Sequence, residues 1–332
     1  MVGSGIESAT AQQAADLVHI VSHGPHCLDG VTAAVVVARY HAGRDVRPQF
    51  ANNPEINEVL LAIEPPPTGR KQDLWITDIS WNRSETDRHL RELANNGTRI
   101  FWVDHHRTAI ERLRRGVIGV PFATMVVEDT YAASRLVYEH LLARLADERR
   151  DPGNLLELER LVLLADDNDR WIHALAGSRE LALTVAAMQG TDAFRDLLTI
   201  DGQVTYTPSM REAEERVKTE LAASHALAER TRSERRVGPV TVVAAWCAGY
   251  PSEIGDAWGR RTANAVLAFY DTKSRGVSFR RSPDCAVDLS RLAERFGGGG
   301  HEAAAGCEIV GIDERDAAAL AAEVARALAE ID

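Results

Sequence analysis

Four short stretches of this chain carry side chains that suit chemistry better than packing. Asp104-His105-His106 follows the apolar run at 100–103, and His23, Cys27 and Asp29 follow a largely apolar stretch at 17–21. Asp78 closes a third run at 74–77. Asp166-Asp167-Asn168-Asp169 ends a helical stripe of Leu155, Leu158, Leu161, Val162 and Leu164. Carboxylates and imidazoles are costly in an apolar interior. Gathered without a cysteine cage, they suit a pair of hard-to-borderline divalent cations such as Mn²⁺. Two such ions roughly 3.5–4 Å apart can stabilise both oxygens of an in-line displacement at phosphorus. Without cations, that many converging carboxylates would repel one another.

A fifth stretch points to the same substrate class. Gly297-Gly298-Gly299-Gly300-His301 lies downstream of Lys273, Arg275, Arg280 and Arg281, a local positive patch in an acidic chain. Glycines let backbone approach a ligand closely. A helix beginning near His301 is expected to aim its free N–H groups at a phosphate, and the arginines would anchor an anionic substrate.

The elements that must position these groups alternate. Strands are expected at 17–21, 46–51, 74–77 and 100–103. Helices are expected at 31–40, 54–63, 84–94 and from 108 onward, with a largely helical stretch over 131–187. That alternation predicts a doubly wound, mostly parallel α/β sheet, with the polar groups at the carboxyl ends of its strands. A polar helix over 208–236 reads as a connector. Strands at 240–245, 265–270 and 277–280 and helices at 287–296 and 314–328 then make a smaller C-terminal α/β domain. The expected organisation is a catalytic domain over 1–195, a helical linker over 196–237 and a substrate domain over 238–332, with the active site in the cleft between the domains.

Composition limits the alternatives. The 332 residues are 45% hydrophobic and 26% charged, ordinary for a globular protein, and no apolar run approaches the ~20 residues of a membrane helix. Residues 1–13 lack the basic start and apolar centre of a secretory signal, and the four cysteines are scattered, so a cytoplasmic protein is expected. A net charge of −11 disfavours a grip on long double-stranded nucleic acid. A homodimer is compatible with this composition.

In order along the chain, His23 … Asp29-Gly30, Asp78, Val103-Asp104-His105-His106 and Asp167 resemble motifs I to IV of the DHH phosphoesterases. Val277 to Arg280 and the Gly-rich stretch through Gly306 resemble the DHHA1 substrate domain of the same family. The resemblance implies two Mn²⁺ ions held by His23, Asp29, Asp78, His105 and Asp167. It also implies His106 facing the phosphate, beside Asp104, with Arg280, Gly299, Gly300 and His301 holding the substrate. Cys27 stands where the family usually has a second aspartate, so it is a candidate ligand that favours softer ions. His26 is a possible substitute. The expected activity is metal-dependent hydrolysis of short nucleotides: oligoribonucleotides, linear or cyclic dinucleotides, or 3′-phosphoadenosine 5′-phosphate. A polyphosphatase, another small-molecule phosphoesterase and a nucleotide-binding regulator with impaired catalysis are the alternatives.

Overall fold

The computed structural model describes residues 16–312 and 316–331. The N-terminal segment read above lies outside the described residues, as does the expected helix start at Glu314. The chain divides into two units, one through Glu214 and one from Glu215.

The first unit contains β1 (Leu17–His23), α1 (Leu28–Tyr40), β2 (Asp45–Ala51), α2 (Ile56–Leu61), β3 (Gln72–Thr77), α3 (Ser84–Asn95), β4 (Thr98–Asp104), α4 (Arg107–Arg114) and β5 (Thr124–Val127). After these come α5 (Ala133–Asp147), α6 (Gly153–Leu156), α7 (Glu159–Asp169), α8 (Ser178–Ala186), α9 (Asp192–Leu197) and α10 (Pro208–Thr231), the last crossing into the second unit.

The five strands are all parallel, in the order β2-β1-β3-β4-β5. Successive side chains alternate between the two faces. Val18, Ile20, Trp75, Phe101 and Val103 pack in one core with α1, α5, α7, α8 and α9. Val21, Leu74, Ile76, Ile100 and Trp102 pack in the other with α2, α3 and α4. Burial on both faces is why these strands read as continuous apolar runs rather than alternating ones. The chain leaves β1 toward β2 and returns to the other side of β1 for β3. The carboxyl ends of β1 and β3 therefore flank the point where the winding reverses, the place such sheets open a crevice.

The second unit carries β6 (Ser233–Val237), β7 (Val240–Cys247), α11 (Pro251–Gly259), β8 (Ala265–Asp271), β9 (Gly276–Arg281), α12 (Leu289–Glu294), β10 (Gly299–His301), β11 (Ala304–Cys307) and α13 (Ala317–Ala329). Its six-stranded sheet runs β10-β11-β9-β8-β7-β6, parallel only between β7 and β8.

Two expectations fail in this unit. The polar helix stops at Thr231 rather than continuing to 236, because Ser233–Val237 pairs with β7 as a charged edge strand. No helix begins at His301. Gly299–His301 instead forms a hairpin with Ala304–Cys307. Gly300 shows why: its φ is +145°, and a Cβ there would sit 2.5 Å from the Ala305 Cα. The glycines bring two strands together instead of opening a helix.

Candidate metal centre

The turn from β1 into α1 is built around Ser22 and Gly30. Ser22 Oγ donates to the Gly30 carbonyl at 2.7 Å, and Thr77 Oγ1 donates to Ser22 Oγ at 2.8 Å, tying the ends of β1 and β3 to the first turn of α1. A Cβ on Gly30 would lie 2.1 Å from the His23 carbonyl oxygen, so only glycine lets α1 start so close to β1. Asp78, just past β3, takes φ +58°, an uncommon but tolerated conformation for aspartate. Its amide bonds the Val103 carbonyl at 3.0 Å, and its buried carboxylate lies among the groups of β1 and β4.

His23 Nδ1 and Cys27 Sγ each lie 3.4 Å from Asp78 Oδ2. His105 Nε2 lies 3.3 Å from Asp78 Oδ1, 3.4 Å from Asp169 Oδ2 and 4.0 Å from Asp29 Oδ2. Three overlapping donor sets result among the described residues, His23–Cys27–Asp78, Asp78–His105–His106 and Asp29–His105–Asp169, linked through Asp78 and His105. His26 is exposed and belongs to none of them.

Asp167 is the other residue the structure does not bring in. It accepts from Ala174 N at 2.9 Å, Leu175 N at 3.2 Å and Ser178 Oγ at 2.5 Å, so its carboxylate knits the loop between α7 and α8. Asp166 is occupied too, accepting from Ala132 N at 2.8 Å and Arg135 Nη1 at 3.0 Å. The carboxylate that α7 offers to the histidines is Asp169. The resemblance points to Asp167 in this cluster, whereas the geometry sets Asp169 beside His105. The remaining signal was Asp169's place as the last helical residue, where a side chain can clear its own helix.

The electrostatics fit a cation. Burial, then the charges of Asp78 and Asp169, push the Asp29 carboxyl well up. Burial and Asp78 likewise raise Asp169. Burial would raise Asp78 as well, but the His105 and His23 imidazoles win and hold it well below the usual carboxylate range. Burial alone would lower His105, yet Asp78, Asp29 and Asp169 raise it to about 9. Burial, then Asp78 and Asp29, push the Cys27 thiol up. Protons thus stand where positive charge is needed, and a divalent ion would displace them on binding. His105 Nε2 is buried and makes no well-directed hydrogen bond, as befits a nitrogen facing a cation position.

Asp104 and His106 form a pair at the edge of this cluster, with His106 Nδ1 3.9 Å from Asp78 Oδ1. Asp104 is fully buried, and its Oδ1 accepts from the His106 amide at 3.0 Å and from His106 Nδ1 at 2.7 Å. That bond places the proton on Nδ1, orients the ring and raises its pKa. The His106 side chain is 45% exposed, the most open of the site histidines.

In the second unit, Arg280 pairs with Ala304, and Ala304 with His301. Directly opposed residues share a sheet face, so Arg280 and His301 stand on one face with a single strand between them, about 10 Å apart. Arg280 donates to the Phe279 carbonyl at 2.7 Å and to Ser252 Oγ at 2.6 Å. The expected positive patch is smaller than its sequence, because Lys273 pairs with Glu220 at 2.7 Å and Arg281 with Glu302 at 2.8 Å.

A strand-edge cluster of carboxylates, imidazoles and a thiol on a doubly wound sheet is a candidate divalent-cation site. No family model matches the sequence. A curated relative, the oligoribonuclease NrnB of Bacillus subtilis (strain 168), is 26% identical over 302 residues, covering 88% of this chain and 72% of its own. The pGpG-specific phosphodiesterase PggH from Vibrio cholerae shares the fold, with a TM-score of 0.57 at 15% identity over 95% of this chain and 99% of that one. RecJ from Thermus thermophilus, solved in complex with Mn²⁺, does so with a TM-score of 0.53 at 17% identity over 96% of this chain and 53% of that one. The chain is thus similar in sequence to an oligoribonuclease and shares its fold with a phosphodiesterase and with RecJ. No helix among the described residues is long and apolar enough to cross a membrane.

Proposed function

We propose that this chain is a divalent-metal-dependent phosphodiesterase of short nucleotides, with oligoribonucleotides of a few residues and dinucleotides as substrates. The observation that carries the reading is the overlap of the donor sets, through Asp78 and His105, at the carboxyl ends of β1, β3 and β4. The substrate class is supported by NrnB, an oligoribonuclease, and PggH, a pGpG-specific phosphodiesterase. His23, Cys27 and Asp78 would hold one ion and Asp29, His105 and Asp169 the other, with Mn²⁺ the expected occupant. When bound, such ions neutralise charge on the phosphate and on the leaving oxygen.

The chain's own groups supply the rest. Asp104 fixes the His106 ring so that Nδ1 carries its proton inward and the exposed edge of the imidazolium can meet a phosphate oxygen. Asp29 accepts from Ala133 N at 2.8 Å and Ser134 N at 3.0 Å, so the start of α5 holds that carboxylate in place. Arg280, with Gly299, Gly300 and His301, is the proposed anion-binding part of the second unit.

The test is direct. Protein stripped with a chelator is incubated with a short oligoribonucleotide panel, then resupplied with Mn²⁺, Mg²⁺, Co²⁺ or Zn²⁺ singly. Metal-dependent release of nucleoside monophosphates is expected. No hydrolysis of any member with any ion would overturn the reading.

A further inference from the structure

Trp171 breaks two rules at once. Of the six tryptophans, Trp75, Trp81, Trp102 and Trp258 are fully buried, whereas Trp171 is 50% exposed, and the neighbouring Ile172 equally so. Its backbone is left-handed, φ +55°, and so is that of His173 at +51°. Bulky residues adopt this region only when the surroundings impose it, and such strain gathers at ligand sites. Here the imposing groups are visible. The Asn168 carbonyl accepts from Trp171 N at 2.9 Å, the Asp167 carbonyl accepts from Ile172 N at 2.9 Å, and the Asp167 carboxylate ties down Ala174, Leu175 and Ser178. The loop spends backbone strain to hold a large aromatic ring out in water.

The ring is also held in a defined orientation. His173 meets it edge-on, with centroids 4.4 Å apart at 60°, and the Arg179 guanidinium lies over it at 5.4 Å. Trp171 follows Asp169 by two residues, so their Cα atoms are at most about 7.6 Å apart. An oriented indole with half its surface open, backed by a cation and adjacent to the carboxylate cluster, is what a flat, anionic ligand would meet next to the reacting phosphate.

We propose that Trp171 is a stacking platform for the nucleobase next to the scissile phosphate. The inference rests on the nucleotide reading above and adds the residue that recognises the base. Stacking tolerates any base, because each has a π face, so Trp171 would favour nucleotides over other phosphate esters without choosing among sequences.

Two measurements test it on the full chain. In the first, tryptophan fluorescence is titrated with adenosine 5′-monophosphate and with ribose 5-phosphate. Saturable quenching by the nucleotide alone is expected, and it should vanish in Trp171→Phe. In the second, hydrolysis of the dinucleotide pApA and of its counterpart with an abasic sugar is compared in wild type, Trp171→Ala and Trp171→Phe. Trp171→Ala should raise KM for pApA about ten-fold, the usual scale of one lost stack, with a much smaller change in kcat. The abasic substrate should show far less change, and Trp171→Phe should keep most of the wild-type KM. Equal damage on both substrates would mean that Trp171 only shapes the Asp169 loop and would overturn the proposal, as would equal quenching by the two monophosphates. Base-specific quenching without hydrolysis of any nucleotide would support the platform while removing the hydrolase reading. Hydrolysis with an unchanged KM in Trp171→Ala would remove the platform and leave the hydrolase.

Discussion

Asp167 and Asp169 are two residues apart in one helix, and thermal melts of their variants should separate them cleanly. Asp167→Ala deletes the acceptor of three donors: two backbone amides and the buried Ser178 hydroxyl. Bonds to a charged group contribute about 1.5–3 kcal/mol each, but the amides would regain some water, so about 3 kcal/mol in total is reasonable. For a unit of this size that lowers Tm by roughly 6–12 °C. Asp169→Ala works the other way. Its carboxyl is raised by burial and by Asp78, so the charge is unwelcome in the metal-free fold, and removing it should leave the metal-free Tm unchanged or higher. Addition of Mn²⁺ then reports ligation. At about a thousand-fold excess over Kd, a bound ion adds about 4 kcal/mol. Wild type and Asp167→Ala should both gain Tm with Mn²⁺, the latter from a lower baseline, and Asp169→Ala should lose most of the gain. If Asp167→Ala kept its baseline and lost the metal-induced rise while Asp169→Ala did the reverse, the assignment made from the hydrogen bonds would be wrong.

Cys27→Asp should move metal preference from Zn²⁺ and Co²⁺ toward Mn²⁺, and the near-ultraviolet sulfur-to-cobalt band expected of the Co²⁺ protein should disappear; an unaltered spectrum would show that Cys27 does not ligate. Arg280→Ala should raise KM for a dinucleotide by about 10- to 150-fold, the equivalent of one charge-assisted contact, with the melting curve checking that the fold survives. His41 should make stability depend on pH. Trp75 Nε1 donates to its Nε2 at 3.1 Å and Arg44 lies 3.0 Å from its Nδ1, while burial, then Arg44, lowers it to about 4. Below about pH 6.5 the unfolded chain takes up a proton that the folded chain refuses, so stability is complete above that pH and falls by up to about 3 kcal/mol on the way to pH 4. His41→Gln should flatten this slope in denaturant titrations across that range, and an unchanged slope would assign the acid loss to other groups.

The strands that matter most were the easiest to read. β1, β3 and β4 are buried on both faces and each carries a largely apolar stretch that ends abruptly in polar residues. The edge strand β2 was read as well, at 46–51, but two other edges were not legible. β5 is four residues long and pairs only with β4, and β6, Ser-Glu-Arg-Arg-Val, has the composition of the polar helix before it. What makes it a strand is its partner β7, a tertiary fact absent from local propensity. The glycine stretch failed for a related reason. Glycines signal close approach without saying of what, and here the approaching group is the neighbouring strand.

Within the site, what stayed hidden was the division of labour among adjacent residues, and backbone geometry explains it. Asp104, His105 and His106 lie where the chain is still extended, so alternate side chains share a side. Asp104 and His106 therefore meet, one fixing the other, while His105 turns toward Asp78, Asp29 and Asp169. One triplet thus provides both a metal-type ligand and an oriented imidazole, and a one-residue slip of β4 would exchange them. Asp166 to Asp169 instead follow a helix, where each residue turns about 100° from the last and only packing decides which faces the crevice. Asp166 meets the start of α5, Asp167 the loop ahead of α8, and Asp169 the histidines. Two of these aspartates stabilise the frame in which the third can sit beside Asp29 and Asp78, and that arrangement is fixed by packing that no spacing in the sequence reveals.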